Sequence, residues 1–217
     1  MAELIADPFR SARLVLLLRQ EGVTDDGVLR AMETIDRTAF VANDRLNPLA
    51  FEDCVLPIPC GQIIPRPAAT GQLLQALQLK QGRESRVLLI GAGSGYTAVL
   101  AAQLASDVFA VERYQTLTDD FRSRIVELGL SNIAVRWEDG LIGWPERGPY
   151  DRILLTGAVE DVPDLLFPQL AKGGLLVAPV VSGAGQTLLR IHEGGRRENM
   201  PLTYPLPRLT EGRSQVL

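Results

Sequence analysis

The sequence contains few of the residues that build disulfide frameworks and metal sites. Among its 217 residues are two cysteines and one histidine. Cys54 and Cys60 have no third cysteine or clustered histidine to complete a zinc set, which argues against both a disulfide framework and a bound metal. The single histidine, His192, lies in the segment RIHEGG and is interpreted as an ordinary surface residue. The cysteine count suits the reducing environment of the cytoplasm.

Long apolar runs and an excess of positive charge are also missing. No apolar run approaches the ~20 residues that a membrane-spanning helix needs. The first residues, MAELIADPFRSARLVLLLRQ, lack the basic leader and the cleavage site of a secreted protein. The formal net charge of −4 leaves no broad basic surface for the phosphate contacts that nucleic-acid binding requires. The sequence therefore predicts a soluble cytoplasmic protein that binds neither membranes nor nucleic acids and acts on a small or proteinaceous substrate.

Residues 1–80 are expected to form an N-terminal region of helices and loops. The spacing of apolar residues predicts a first helix over residues 8–20 and a second helix that begins after Thr24 as its N-cap. Five prolines within residues 43–69 exclude a long helix there and predict an ordered loop with short extended pieces. A third helix is predicted over residues 70–80, where leucines share one face.

From residue 86 onward strands alternate with helices, which is the pattern of a parallel sheet covered on both sides. The predicted fold class is therefore α/β, with a doubly wound, mostly parallel sheet. Residues 81–181 would form the ligand-binding core, and residues 182–217 would add antiparallel edge strands and a proline-rich tail. With the N-terminal region they would make one domain over residues 1–217. The predicted strands cover residues 87–90, 108–111, 133–137, 152–156, 175–181 and 187–192.

The first strand of this core, RVLLI, is followed by a turn with three glycines, Gly91-Ala92-Gly93-Ser94-Gly95. Ligands of open α/β sheets lie beyond the carboxyl ends of the strands, and glycines there let a ligand approach the backbone closely. The dinucleotide fingerprint would require a further glycine where this chain has Tyr96, and the Lys-Ser/Thr pair of a phosphate loop does not follow. Both of these phosphate-binding interpretations are therefore weakened.

Acidic residues follow the next two strands. Glu112 lies about 20 residues after Gly91, the distance at which a carboxylate accepts hydrogen bonds from two ribose hydroxyls. Asp139, at the end of the third strand, would lie at the same edge of the sheet, where a carboxylate accepts a hydrogen bond from an exocyclic amine such as that of adenine. The glycine turn and the two acids together predict an adenosine ligand that needs no pyrophosphate.

Several segments of the sequence resemble a known family. They are VLLIGAGSGY, VFAVER, WEDGLIGW and YDRILLTGAVEDVPDLLFPQLAKGGLLVAPV, with LPI followed by GQ upstream. From about Arg37 to Val181 the chain is similar to protein-L-isoaspartate (D-aspartate) O-methyltransferases. The resemblance implies a Rossmann-like fold that uses S-adenosyl-L-methionine as methyl donor. It also implies a monomer that acts on isoaspartyl-containing proteins or peptides in protein repair.

The resemblance further implies which residues bind the donor. By this resemblance, the methionine part of the donor would be lined by Gly91, Ala92, Gly93 and Ser94. Glu112 would bind its ribose, and Asp139 and Gly140 would bind its adenine. Gln62 and Thr156 would lie near the transferred methyl group. Gly95 and Arg113 complete the predicted donor-binding set. A carboxylate acceptor is already ionised at neutral pH, so attack on a sulfonium methyl group requires positioning rather than a general base.

The chain departs from the family pattern in the GQIIPRP segment. The family usually has GQTISxP there, so Ile63 replaces a threonine and Pro65 replaces the serine that is thought to orient the substrate carboxylate. Proline has neither a side-chain donor nor a backbone N–H. No catalytic residue is therefore assigned, and Arg66 is a candidate for pairing with the substrate carboxylate. Leu89 also stands where the family has an acidic residue before the glycine turn.

Three functions remain open at this point. The first is methylation of isoaspartyl carboxyl groups, with altered or weak activity. The second is methylation of another acceptor, whose pocket residues 56–69 would define, and the third is a noncatalytic cofactor-binding or partner-binding domain. Methylation of nucleic acids is disfavoured for two reasons. After the fourth strand, Thr156-Gly157-Ala158-Val159 replaces the Asn/Asp-Pro-Pro-aromatic motif that holds a flipped adenine. Cys60 follows a proline, as the nucleophile of cytosine methyltransferases does, but it precedes the glycine turn instead of following the fourth strand. Trp137 and Trp144 are expected to be packing residues, with contact between one of them and adenine as the alternative.

Overall fold

The computed structural model describes residues 8–41, 43–79, 84–183 and 185–214. The predicted domain limits at residues 1 and 217, the boundary between residues 80 and 81, and the predicted helix end at Lys80 lie outside the described residues. Within the four described ranges, no helix is long and apolar enough to cross a membrane.

Three helices form the N-terminal part of the structure. They are α1 (Pro8–Gln20), α2 (Asp26–Thr34) and α3 (Pro67–Ala76). The predicted first helix is confirmed, but the prediction that Thr24 is the N-cap of the second helix is wrong. Asp25 caps α2 instead, because its Oδ1 atom accepts a hydrogen bond from the amide of Val28 at 2.9 Å.

The third helix differs from its prediction at both ends. α3 begins at Pro67, before the predicted start at residue 70, because proline is favoured at the first position of a helix, where its missing N–H costs nothing. It ends at Ala76, and Gln78 follows with a φ of +51°, a left-handed conformation. That backbone conformation prevents the helix from continuing toward residue 80.

The proline-containing segment between α2 and α3 is ordered, as the sequence predicts. Two short strands, β1 (Leu56–Ile58) and β2 (Gln62–Ile64), pair in antiparallel fashion. The turn between them holds Cys60 at a φ of +62° and Gly61 at +64°. The hairpin thereby carries the GQIIPRP segment to the edge of the main sheet.

A seven-stranded sheet forms the centre of the molecule, in the order β5-β4-β3-β6-β7-β8-β9. The strands from β5 to β7 pair in parallel, whereas β8 and β9 are antiparallel strands at one edge. The predicted α/β class is therefore confirmed. The strands are β3 (Arg86–Ile90), β4 (Asp107–Glu112), β5 (Ile133–Trp137), β6 (Tyr150–Leu155), β7 (Leu170–Ser182), β8 (Gly185–His192) and β9 (Arg197–Met200), and α4 (Tyr96–Ala102) and α5 (Gln115–Glu127) follow β3 and β4.

Five strands begin earlier than the sequence predicts: β3 and β4 by one residue, β6 and β8 by two, and β7 by five. β6 starts at Tyr150 rather than at residue 152, and β7 starts at Leu170 rather than at residue 175. The pairing of these strands shifts register between Tyr150 and Arg152. Gly173, at a φ of +72°, interrupts the apolar pattern inside β7, so the continuous apolar run begins later than the strand itself.

Alternate residues of β3 are buried on opposite faces of the sheet. Val87 and Leu89 belong to the hydrophobic cluster that includes α1 to α4, whereas Leu88 and Ile90 belong to a second cluster on the other face. Burial on both faces explains the continuous apolar run RVLLI. Leu89, which stands where the family that the sequence resembles has an acidic residue, is fully buried in this packing.

The C-terminal tail returns across the carboxyl ends of the strands. The amide of Leu209 donates to the carbonyl of Ala158 at 2.9 Å, just beyond β6. The amide of Ser214 donates to the carbonyl of Arg113 at 2.8 Å, just beyond β4. The sequence predicts edge strands and coil for this region, but it does not predict a path over the edge of the sheet where the ligand site is expected.

Candidate functional site

The position of β3 in the sheet creates the expected ligand site. β3 lies between β4 and β6, so the connections that leave the carboxyl end of the sheet diverge there. Ligands of doubly wound sheets bind at such a point. A cavity of about 110 Å³ occupies it. The predicted donor-binding residues that line the cavity are Gln62, Gly91, Ala92, Gly93, Ser94, Glu112, Arg113, Gly140 and Thr156.

The turn after β3 depends on backbone conformations that favour glycine. Gly91 has a φ of +86° and Gly93 a φ of +55°. A Cβ atom at Gly91 would lie 2.6 Å from Oγ1 of Thr156, closer than real side chains approach. Gly95 also has a positive φ, of +88°, but in the described part of the chain it does not line the cavity. A Cβ atom at Gly95 would overlap the ring of Phe121 on α5. The turn thus presents bare backbone to the cavity, and Gly95 allows close packing against α5.

Glu112 is a buried carboxylate at the end of β4, with 4% of its surface exposed. Its Oε2 atom accepts a hydrogen bond from the amide of Gly93 at 2.8 Å, and its Oε1 atom accepts one from the amide of Tyr114 at 2.9 Å. Burial raises the pKa of Glu112, and these backbone hydrogen bonds act in the opposite direction. Each carboxylate oxygen has two lone pairs, so the group retains capacity for ribose hydroxyls. Glu112 therefore fixes the glycine turn and lines the cavity at the same time.

Asp139 has partners other than the predicted one. Its Oδ1 atom accepts a hydrogen bond from the amide of Leu141 at 2.9 Å, which begins the short turn Gly140–Ile142. Its Oδ2 atom accepts a hydrogen bond from the amide of Gly212 at 2.8 Å. Gly140 and Leu141 line the cavity, whereas Asp139 is not among the lining residues in the part of the chain that the structure describes. Recognition of adenine by the Asp139 side chain stays a prediction.

Thr156 and Gln62, which the family resemblance places near the transferred methyl group, both line the cavity. Oγ1 of Thr156 donates to the carbonyl of Gly91 at 2.6 Å, which ties the end of β6 to the glycine turn. Nε2 of Gln62 donates to the carbonyl of Cys60 at 3.2 Å and to the hydroxyl of Tyr114 at 3.4 Å. The second contact links the N-terminal hairpin to the segment after β4.

The GQIIPRP segment brings apolar side chains to the cavity. Ile63 and Pro65 both line it. Arg66 is directed elsewhere, because its Nη1 atom donates to the carbonyl of Asp53 at 2.9 Å and its guanidinium carbon lies 4.4 Å from the ring centroid of Tyr204. Pairing of Arg66 with a substrate carboxylate stays a prediction, and it requires Arg66 to leave these partners.

The contribution of the tail to the cavity is not evident from the sequence. Residues 207–210 form part of the cavity wall, and Cδ2 of Leu209 lies 3.0 Å from the position that a Cβ atom of Gly91 would take. Arg113 fastens the tail, because its Nε atom donates to the carbonyl of Gly212 at 2.9 Å. No periodic pattern marks this segment. Other missed lining residues neighbour predicted ones along the chain, and include Ile90, Val111, Tyr114, Leu141 and Gly157.

The remaining singled-out side chains lie elsewhere in the described part of the chain. His192 is on β8, with its Nε2 atom 2.9 Å from Oε1 of Glu198. Both cysteines are free thiols, and burial raises the pKa of Cys60. Nε1 of Trp137 donates to the carbonyl of Arg113 at 2.8 Å. Over the residues that the structure describes, no group of three or more His, Cys, Asp or Glu side chains could hold a metal ion.

Comparison with known sequences places the chain among its relatives. The sequence pattern of the family described as protein-L-isoaspartate(D-aspartate) O-methyltransferase (PCMT) matches residues 10–201. The protein-L-isoaspartate O-methyltransferase of Paracoccus denitrificans is 44% identical over 186 residues, which cover 85% of this chain and 85% of that protein. The protein of the same name from Caulobacter vibrioides is 43% identical over 184 residues, which cover 85% of this chain and 82% of that protein.

Solved structures share the fold. A protein-L-isoaspartate O-methyltransferase structure matches with a TM-score of 0.77 and 24% identity, covering 92% of this chain and 67% of that chain. A protein from Plasmodium falciparum, solved in complex with S-adenosyl-L-homocysteine, matches with a TM-score of 0.75 and 22% identity, covering 94% of this chain and 99% of that chain. The predicted Rossmann-like methyltransferase fold is confirmed. Because the family pattern matches most of the sequence and relatives this similar span most of their own length, the chain belongs to the protein-L-isoaspartate (D-aspartate) O-methyltransferase family.

Proposed function

We propose that this chain transfers the methyl group of S-adenosyl-L-methionine to the carboxyl group of isoaspartyl residues in proteins or peptides. The observation that carries the proposal is the buried carboxylate of Glu112, bonded to the glycine turn at the point where β3 lies between β4 and β6. The relatives at 44% and 43% identity are named for this reaction.

The residues around the cavity fit an adenosine-containing donor. Bare backbone at Gly91 and Gly93 allows close approach, and Glu112 offers a charged acceptor for ribose hydroxyls. Tyr114 and Leu141 add side-chain surface against which a flat base can pack. When bound, the donor supplies a methyl group on a positively charged sulfonium.

The contribution of the chain to the reaction is positioning. A carboxylate acceptor with a pKa of about 4 is ionised at neutral pH, so no residue has to remove a proton. In-line attack on the methyl group requires donor and acceptor to be held in register. Thr156 and the GQIIPRP segment, which includes Gln62, line the same cavity and are the residues proposed to hold them.

Binding of the donor is expected to adjust the parts of the cavity wall that the strands of the central sheet do not hold. Residues 207–210 and the GQIIPRP segment border the cavity without belonging to the central sheet. We therefore expect these two segments, rather than the strand ends, to move when the donor binds.

A methyl-transfer assay tests the proposed function. Purified protein, donor with a labelled methyl group and a peptide with one isoaspartyl residue should give a base-labile methyl ester. The same peptide with an ordinary aspartyl residue should give none. Calorimetric titration with S-adenosyl-L-homocysteine measures occupancy of the donor site separately. Absence of both binding and ester formation would contradict the proposal and would favour a noncatalytic partner-binding domain.

A different acceptor is favoured by one observation. Ile63 and Pro65 line the cavity at the two positions where the family usually has hydroxyl groups, so this wall lacks two hydrogen-bond donors for a carboxylate. A panel of other acceptors, offered with the same labelled donor, tests this second candidate. Transfer to one of them, together with no ester on the isoaspartyl peptide, would support it over the first.

The chain is also proposed to act as a monomer in the cytoplasm and to fold as one domain. Residues from all three predicted regions, Leu14, Leu89 and Leu206 among them, pack in one hydrophobic cluster, which supports the single domain. Both cysteines are free, which fits a reducing compartment. Light scattering should give the mass of one chain, and unfolding should proceed in one transition. A dimer mass or two transitions would contradict these proposals.

A further inference from the structure

Arg37 is a buried cation that holds the loop before α3. It is 1% exposed and follows α2 in a short turn. Its Nη1 atom donates to the carbonyls of Ala50 at 3.2 Å and Glu52 at 3.4 Å. Its Nη2 atom donates to the carbonyls of Cys54 at 3.0 Å and Pro65 at 2.9 Å. One side chain therefore bonds the loop of residues 50–65 near its beginning and at its end.

The hydrogen bonds of Arg37 explain why a charge is buried at this place. Burial lowers the pKa of Arg37, so the surroundings do not favour the charge by themselves. Without the guanidinium, four carbonyl groups would lose a hydrogen-bond donor in a segment that has little regular structure. At Pro65 the carbonyl is the only backbone group that can form a hydrogen bond, because proline has no N–H. Arg37 is thus the residue that fixes the backbone of Pro65.

Arg37 also contacts the wall of the cavity. Its guanidinium carbon lies 5.7 Å from the ring centroid of Tyr96, within the range of a cation–π interaction. Tyr96 is buried, directly follows the glycine turn and lines the cavity, as Pro65 does. The same guanidinium therefore lies between the GQIIPRP segment and the beginning of α4.

A second arginine makes corresponding contacts at the glycine turn. Arg124 of α5 donates from Nη1 to the carbonyl of Ser94 at 2.7 Å and from Nε to the carbonyl of Ala39 at 2.8 Å. Ser94 belongs to the glycine turn and lines the cavity. Arg37 and Arg124 thus bond backbone carbonyls in different walls of one cavity. Because Arg124 also bonds Ala39 in the turn that carries Arg37, the two are distinguished by their other partners, Pro65 and Ser94.

We propose that Arg37 is a positioning residue for the methyl acceptor, because it fixes the carbonyl of Pro65 and thereby sets where the substrate carboxylate lies relative to the donor. This inference rests on the methyl-transfer function proposed above. Arg37 acts through the GQIIPRP segment. Arg124 acts through Ser94 and positions the donor instead.

The test compares Arg37→Lys with Arg124→Lys. Lysine keeps the positive charge but lacks the planar fork that bonds several carbonyls at once. In Arg37→Lys, kcat/KM for an isoaspartyl peptide should fall about 10- to 100-fold because the acceptor is misplaced, while the dissociation constant of S-adenosyl-L-homocysteine stays the same. In Arg124→Lys that dissociation constant should rise about 10-fold, while the KM for the peptide stays the same.

Hydrogen exchange gives a readout that does not depend on turnover. Arg37→Lys should speed the exchange of amides in residues 50–65 while the glycine turn, residues 91–95, keeps its protection, and Arg124→Lys should show the reverse. If the wild-type chain forms no ester on isoaspartyl peptides, the proposed function fails, and exchange still decides whether Arg37 holds the loop.

Three results would overturn the inference. The first is an equal loss of donor affinity and of peptide kcat/KM in Arg37→Lys. The second is unchanged exchange in residues 50–65. The third is general unfolding of this conservative variant, because a residue that the whole fold requires is not a specific positioning residue for the acceptor.

Discussion

Asp139 accepts a hydrogen bond from the amide of Gly212 at 2.8 Å, although the two residues lie 73 positions apart in the chain. Arg113, at the end of β4, donates from Nε to the carbonyl of the same Gly212 at 2.9 Å. Side chains from two strand ends therefore hold both sides of one tail residue. Because the sequence predicts both side chains as donor-binding residues, the tail and the donor site are expected to be coupled.

Asp139→Asn should weaken donor binding by releasing the tail. The asparagine side chain has one acceptor oxygen, so it cannot accept hydrogen bonds from both Leu141 and Gly212 as the carboxylate does. In a double-mutant cycle with deletion of residues 209–217, the second change should add little to the first. Calorimetric titration with S-adenosyl-L-homocysteine measures the affinity of the wild type, of each single variant and of the double variant. If the two losses of affinity add, the tail and Asp139 act independently, and Asp139 would contact the donor itself.

Gly91→Ala should cost more stability than Gly173→Ala. Both glycines have positive φ, +86° and +72°, so alanine introduces about 1–3 kcal/mol of backbone strain at either position. At Gly91 the new Cβ atom would also lie 2.6 Å from Oγ1 of Thr156, whereas at Gly173 it would meet nothing within 4 Å. Denaturant unfolding of the two variants measures the difference. An equal loss in the free energy of unfolding of the two variants would show that Thr156 moves away from the new Cβ atom without an energetic cost.

The glycine turn and the strand ends could be predicted from the sequence because their determinants are local. The apolar run RVLLI marks a strand buried on both faces, and Gly91 and Gly93 supply the positive φ that the turn requires. Once the strands are known to be parallel, Glu112 must lie at the same edge as the turn. These features follow from residues that are neighbours in the chain or in the sheet.

The tail and the role of Arg37 could not be predicted, because their partners are distant in the chain and carry no side-chain pattern. Arg37 bonds the backbone carbonyl of Pro65, 28 positions away, and any residue type supplies a carbonyl. Asp139 follows the end of β5, as the sequence predicts, yet the tail decides what one of its oxygens contacts. Such pairings are set by the packed fold rather than by local sequence.

Pro65→Ser should raise activity on isoaspartyl peptides. Pro65 lines the cavity, so a serine there would offer a hydroxyl to the substrate carboxylate. One added hydrogen bond contributes about 0.5–1.5 kcal/mol, which corresponds to a rise in kcat/KM of about 2- to 12-fold. Pro57→Ser, on the exposed position of β1, is the matched control and should have no effect. An unchanged kcat/KM in Pro65→Ser would show that the missing hydroxyl does not limit this chain.

The stability of the protein should depend on pH through Glu112. Burial raises the pKa of Glu112 in the folded state, so the folded chain binds this proton more tightly than the unfolded chain does. Its contribution to stability is therefore present below the unfolded pKa and is lost as pH rises through the folded pKa. Relative to the wild type, Glu112→Gln should become more stable as pH rises from about 4 to about 7. The free energy of unfolding, measured across this range, checks the sign, and a trend in the opposite direction would contradict the burial argument.

The affinity of Glu112→Gln for S-adenosyl-L-homocysteine tests the central claim most directly. The substitution keeps the size of the side chain but removes the charge and one acceptor oxygen, so the dissociation constant should rise about 10- to 100-fold. Asp119→Asn, on the exposed face of α5, should leave it unchanged. An unchanged dissociation constant in Glu112→Gln would contradict the claim that this buried carboxylate and the glycine turn form the donor site.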